Sequence, residues 1–363
     1  MTNEMMEIYD QFHEAAHGKE KMEICRRGWE LADQLDSYDD QYFFRYKYIN
    51  EAAFYDDILE IYTIYPVLLQ KHDAYVAVHG SDPNTFHILW AYKWVLENAH
   101  EFHQISIEQF ERFREDFRIR CIKNGYSLRP YYQYGAYFYS QFDMEKAETC
   151  YRNFLKCPHD GLSDCKACER HMEVVYLLRT NQPDKAMERA KDLFSRRLTC
   201  AEVPDITYAE FIRYDNMCRL KGTAFAEMDI HNLQRNLYYS IDSKKLCIEH
   251  IGKLFLSYCF TDKGMALEWF RRNCTYTQQV RNPVFRFEFA IAAMALFKEL
   301  LSKETYKMRL KKEFVLYRED DEYSPREIYG HFRKMAEEIA CKMDARNGND
   351  VFTLILRDVE NGF

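Results

Sequence analysis

Tyr131-Tyr132-Gln133-Tyr134-Gly135-Ala136-Tyr137-Phe138-Tyr139-Ser140-Gln141-Phe142-Asp143-Met144-Glu145-Lys146-Ala147-Glu148-Thr149-Cys150-Tyr151 is the stretch that decides the fold. Large apolar residues recur at helical spacing on both sides of a short polar break. Tyr131, Gly135 and Phe138 fall on one stripe of a first helix, and Ala147 and Tyr151 on one stripe of a second. The small residues Gly135 and Ala147 let the paired helices approach, and Tyr151 fills the wedge against the next pair. The arrangement recurs around Ala186, followed by Ala190 and Leu193, and again as Gly264-Met265-Ala266-Leu267-Glu268-Trp269-Phe270.

Outward from this stretch the helical period persists nearly everywhere. It predicts about 17 helices of roughly 14–18 residues, separated by short breaks. Breaks fall at Gly18, at Gly80-Ser81-Asp82-Pro83, at Gly125, at Asn181-Gln182-Pro183 and at Asn282-Pro283. Ser106 and Gln109 have the spacing of a helix-start capping box. Pro183 suits a first helical turn, where its missing N–H costs nothing. One helix is predicted over 304–316 and a last long one over 325–346, with the tail after Gly348 expected to cap the stack. The 12 Gly and 8 Pro supply little turn chemistry for sheets. The expected class is therefore all-α, an antiparallel helix-hairpin solenoid in which each pair packs on its neighbours. The expected organisation is degenerate helical repeats over 1–125, regular repeats with an inserted cysteine loop over 126–301, and capping helices over 302–363.

Composition narrows the partners. The formal charge is −8 with 50 Lys+Arg against 58 Asp+Glu, and no basic tract dominates, so nucleic acid is not expected. No apolar run reaches the roughly 18–20 residues of a membrane span. Met1 to Glu20 is charged throughout and lacks the apolar core of a signal peptide. A cytoplasmic location is expected, and there the 12 cysteines would stay reduced. Neither a phosphate loop nor a nucleophile elbow is present, so no catalytic residues and no enzyme activity are assigned.

The most pointed chemistry is Cys157-Pro158-His159-Asp160-Gly161-Leu162-Ser163-Asp164-Cys165-Lys166-Ala167-Cys168-Glu169-Arg170-His171. Cys165 and Cys168 form a C-x2-C, a spacing that lets two thiolates bind one zinc ion at about 2.3 Å. If the following two helices run antiparallel, Cys200 returns to the same end, and Cys157 leaves the previous hairpin there. The expected metal ligands are Cys157, Cys165, Cys168 and Cys200, with His159 and His171 as alternates, around a closed structural zinc. Two other readings stay open. The cysteines are reduced and simply packed, or Cys165 and Cys168 are a thiol redox pair, with Cys168 activated near a helix N-terminus.

The hairpin pattern over 131–154, supported at 186–193 and 264–270, resembles the tetratricopeptide repeat family, whose period is 34 residues. Ala147 and Ala186 are 39 residues apart, and the excess falls in the cysteine loop. Leu162-Ser163-Asp164-Cys165-x-x-Cys168, then Leu198-Thr199-Cys200-Ala201-Glu202-Val203-Pro204, resembles an uncharacterised bacterial group of tetratricopeptide-containing proteins, as does His250 in Ile248-Glu249-His250-Ile251. That narrower likeness covers mainly residues 130–275. It implies a scaffold with a recurring cysteine site and no reaction. Asp205 stands where many of that group have His, which puts any metal role of that position in doubt here. The family resemblance also implies a concave groove that takes a peptide or protein segment, with Arg129, Tyr132, Tyr139 and Arg179 pointing into it. The expected function is a peptide-binding interaction scaffold. A peptide-responsive regulatory protein is the alternative.

Overall fold

The computed structural model describes residues 2–362 except 55–57, 224, 226–227 and 245–246. The all-α expectation holds, with one two-residue antiparallel strand pair among the described residues. The helices are α1 Asn3–Glu14, α2 Lys19–Gln34, α3 Tyr38–Phe54, α4 Ile61–His79, α5 Thr85–Asn98, α6 Ile107–Lys123, α7 Arg129–Tyr139, α8 Met144–Lys156 and α9 Lys166–Arg179. They continue as α10 Pro183–Phe194, α11 Asp205–Leu220, α12 Ile230–Asp242, α13 Ile251–Thr261, α14 Lys263–Asn273, α15 Tyr276–Gln279, α16 Pro283–Lys298, α17 Pro325–Asn347 and α18 Val351–Gly362. No helix is long and apolar enough to cross a membrane among the described residues.

Local sequence explains the boundaries. Pro183 and Pro283 sit in the first turns of α10 and α16. Asn282 caps α16 through Oδ1, which accepts from the N–H groups of Val284 and Phe285. α12 starts at Ile230, and Asp229 caps it by accepting from Asn232 N–H at 3.1 Å.

The predicted helix over 304–316 is corrected. Tyr306 and Lys307 form a strand, β1, pairing with Tyr323 and Glu322 of β2. Met308, Leu310 and Phe314 are the buried apolar residues there. Their spacing of two and then four does not sustain one helical stripe. The tail after Gly348 forms α18, which buries Phe352, Leu356 and Val359 on one face. Asp344 of α17 caps it, accepting from Phe352 N–H and Thr353 N–H at 2.9 Å.

The chain divides into two compact units. The first comprises 1–100, 108–138 and 150–163; the second comprises 101–107, 139–149 and 164–363. Within the first, α1 to α5 pack each on the next. The close approach predicted at Gly135 is present there, since a Cβ would lie 2.8 Å from Arg114 Nε and 2.9 Å from Cys150 Sγ. Within the second, α9 pairs with α10, α11 with α12, α13 with α14 and α16 with α17. The first helices of these pairs also touch in order, α9 on α11, α11 on α13 and α13 on α16. That row positions two polar clusters of the second unit.

Candidate metal centre and buried ion cluster

Cys165 is the N-cap of α9, and its sulfur accepts from Cys168 N–H at 3.5 Å. The capping geometry follows from the C-x2-C spacing, because an N-cap side chain reaches the N–H three residues on. It also sets the two sulfurs 3.4 Å apart. Cys200 lies in the loop between α10 and α11, where its N–H donates to Val203 O at 3.1 Å. The ligand atoms of Cys165, Cys168 and Cys200 all fall within 4.8 Å of one another, and Cys165 and Cys200 are exposed. Tetrahedral zinc with bonds of about 2.3 Å would hold its sulfurs roughly 3.8 Å apart. The three thiols therefore fit a metal ion with small adjustments.

The thiols differ electrostatically. Burial raises Cys165, but hydrogen bonds from Cys168 N–H and from the Cys168 and Cys200 thiols outweigh it and lower its pKa. Burial, then the neighbouring Cys165 sulfur, pushes Cys168 well up. The low-pKa thiol is thus Cys165, the capping residue, and not Cys168 as the redox reading expects.

Of the other expected ligands, Cys157 and His159 belong to the first unit and His171 to the second. Burial raises the Cys157 thiol while Arg129 opposes the shift. His159 is exposed. His171 is buried, with Nδ1 3.0 Å from Thr207 Oγ1, and burial pushes its pKa down to about 4. Three α-helical residues carry its side chain past Cys168 into the packed side of α9. Asp205 pairs with Lys244 Nζ at 2.7 Å.

The preceding loop is organised by the first unit's own contacts. Asp160 Oδ1 accepts from the N–H groups of Leu162 and Ser163, and Asp160 Oδ2 accepts from Ser127 N–H. Leu162 is fully buried, and its carbonyl accepts from the buried Lys93 Nζ at 3.0 Å.

Of the residues expected to line a groove, Arg129 donates to Phe154 O and Cys157 O and stacks on the Phe154 ring at 4.2 Å. Its guanidinium clamps the hairpin end. Tyr139 is 1% exposed and is core. Tyr132 is half-buried, with its ring edge-on to Tyr131. Arg179 donates to Ser140 Oγ at 3.3 Å and acts electrostatically on Glu210 and Glu288.

That last contact leads to a constellation the sequence did not reveal. Lys253 Nζ of α13 donates to Glu210 Oε1 of α11 at 2.6 Å and lies 3.2 Å from His250 Nδ1. Asn216 Nδ2 donates to Lys253 O at 2.8 Å. Arg213 Nε stands 3.7 Å from Glu288 Oε1, and Glu288 Oε2 is buried with no hydrogen-bond partner among the described residues. Gly252 permits the approach of α13 to α16: a Cβ would lie 2.6 Å from Phe289 N and 2.8 Å from the Glu288 carbonyl carbon. Glu101 accepts from Asn282 Nδ2 at 2.6 Å, and burial lifts its pKa to about 7. Burial would raise Glu210, but Lys253, Arg213 and Arg179 hold it well below the usual range. Burial also raises Glu288. It pushes His250 well down, aided by Lys253. The sequence hints were His250 and Arg179 alone, because the other members come one or two from each helix.

Compared with known proteins, the chain matches no family model, no curated protein and no solved structure.

Proposed function

We propose that the protein is a helical-hairpin scaffold of the tetratricopeptide kind that binds a peptide or protein segment along the row α9–α11–α13–α16, with a structural zinc at the start of α9. The observation that carries this reading is the ionic cluster packed within that row. Arg179, Glu210, Arg213, Lys253 and Glu288 come from four helices packed in order, and the Glu288 carboxylate keeps one desolvated, unsatisfied oxygen. A buried acceptor without a partner costs about 1–3 kcal/mol, which a donor on a ligand would return. Lysine, arginine or a peptide N-terminus supplies such a donor. Zinc would tie the Cys200 loop to the first turn of α9, fixing the end of the hairpin.

The test is an immobilised array of basic peptides probed with the full chain. Binding that Glu288→Gln weakens by about tenfold, or 1.4 kcal/mol, supports the reading. Indifference of every bound peptide to Glu288→Gln and Arg179→Ala sinks it.

The 3.4 Å separation of Cys165 and Cys168 also favours a second reading, a thiol pair that closes to a disulfide and passes two electrons and two protons to an external peroxide. Formation of that disulfide in zinc-loaded protein at a rate equal to the metal-free form would promote it over the zinc reading.

A further inference from the structure

A metal at the three thiols leaves the number of protein ligands to be assigned. We propose that the centre is a three-thiolate site whose fourth coordination position opens to solvent and takes a small neutral donor, water at rest and imidazole as a replacement. This rests on the reading that the thiols hold a metal.

The geometry of the possible fourth donors points this way. Cys165, Cys168 and Cys200 converge within 4.8 Å, and no further Cys, His, Asp or Glu joins them among the described residues of the second unit. His171, three residues beyond Cys168 on α9, is turned into the core and tied to Thr207. Asp205, at the start of α11, is held by Lys244. Two of the three cysteines are exposed residues and the third is half-buried, so a metal held by them would stand near the surface. Zinc favours four ligands, and three protein ligands plus an exchangeable one is the arrangement of sites that stay open.

Charge decides which donor enters. Three thiolates around Zn²⁺ already carry a formal −1, and Asp164 adjoins Cys165 in the chain. A fourth anionic ligand would add like charge at that point. A neutral oxygen or nitrogen donor does not. Imidazole suits zinc as well as thiolate does.

Cobalt(II) serves as the spectroscopic probe on the full-length, reduced protein. The expected result is one cobalt per chain, with thiolate charge-transfer bands and tetrahedral visible bands. Imidazole should shift the visible bands saturably while the charge-transfer bands persist. Cys157→Ser and His159→Ala should give the same spectra and the same imidazole response, and Cys200→Ser should lose the tight site. The imidazole titration of the unmutated protein stands even if a cysteine variant fails to fold. A spectrum indifferent to imidazole, or one that Cys157→Ser or His159→Ala changes, overturns the open site in favour of a closed one. Failure of the unmutated protein to bind cobalt or zinc at all is a different outcome: it removes the metal reading itself, and this proposal with it.

Discussion

Cys165, Cys168 and Cys200 meet at an exposed turn, whereas Glu210, Lys253 and Glu288 meet inside the helix row of the same unit. Both groups are polar, and burial makes them opposite. Water can solvate Cys165 and Cys200, so these two contribute little to the fold until something binds them. Buried charges have no such reserve. Each is tolerated only because its partner is present, and removing one partner strands the other. Lys253→Met should therefore have the largest effect of any single change at either cluster. Glu210 would be left ionised and 8% exposed. The expected loss is about 3–5 kcal/mol, read as a lower urea midpoint at unchanged m-value. The double variant Glu210→Met/Lys253→Met should recover most of it. A single-variant loss under about 1 kcal/mol would erase the contrast.

The thiol group should show the reverse pattern. Without metal, Cys200→Ser should leave unfolding free energy within about 0.5 kcal/mol, as expected for an exposed side chain. With free zinc at 100 times its dissociation constant, the unmutated protein should gain about 2.7 kcal/mol, which a strong chelator abolishes. Cys200→Ser should gain almost none. Thermal melts with and without zinc measure both. A metal-free loss comparable to that of Lys253→Met would mean the thiols are structural in themselves.

The contact that assembles the ion cluster comes next in size. Gly252→Ala puts a Cβ against the α16 backbone, which cannot move aside as a side-chain tip can. Separating α13 from α16 should cost about 1–3 kcal/mol, the range for overpacking. A denaturation midpoint equal to the unmutated one would show that the helices part freely.

The same contrast explains what could be read in advance. The thiol site is written as a spacing, C-x2-C at a helix start, and local geometry turns that spacing into a distance. Cys200 was reachable because α9 and α10 form an antiparallel hairpin. His171 was misplaced because nearness in sequence says nothing of which side of a helix faces inward: three residues beyond Cys168 put it into the core. Tyr139 became core for the same reason, and Arg129 was spent on the carbonyls at its own hairpin end. Helices with strong periodicity, caps and prolines were legible. Residues 304–316 were not, since Lys and Arg side chains there suit a helix while Met308 and Leu310 alternate. The ion cluster was illegible because no motif links Glu101, Glu210, Lys253 and Glu288; only packing brings them together.

The smallest net effect should come from pH, because two buried groups oppose each other. His171 has its pKa depressed from 6.5 to about 4, so its contribution is present above 6.5 and is lost as pH falls through 4. Glu101 has its pKa raised from 4.5 to about 7, so its contribution is present below 4.5 and is lost as pH rises through 7. Between pH 4.5 and 6.5 the two slopes cancel, each near 1.4 kcal/mol per pH unit for one proton. His250 and Glu210, both depressed, add to the first sign, and Glu288, raised, adds to the second. Glu101→Gln should then make stability rise with pH across that window more steeply than in the unmutated protein, and His171→Gln should make it fall. Urea midpoints at about pH 4.5, 5.5 and 6.5 compare the slopes directly, independent of any constant cost of either substitution. Parallel profiles for the two variants would mean that neither group is buried in the folded protein as its contacts indicate, and the ion cluster would then resemble the exposed thiols after all.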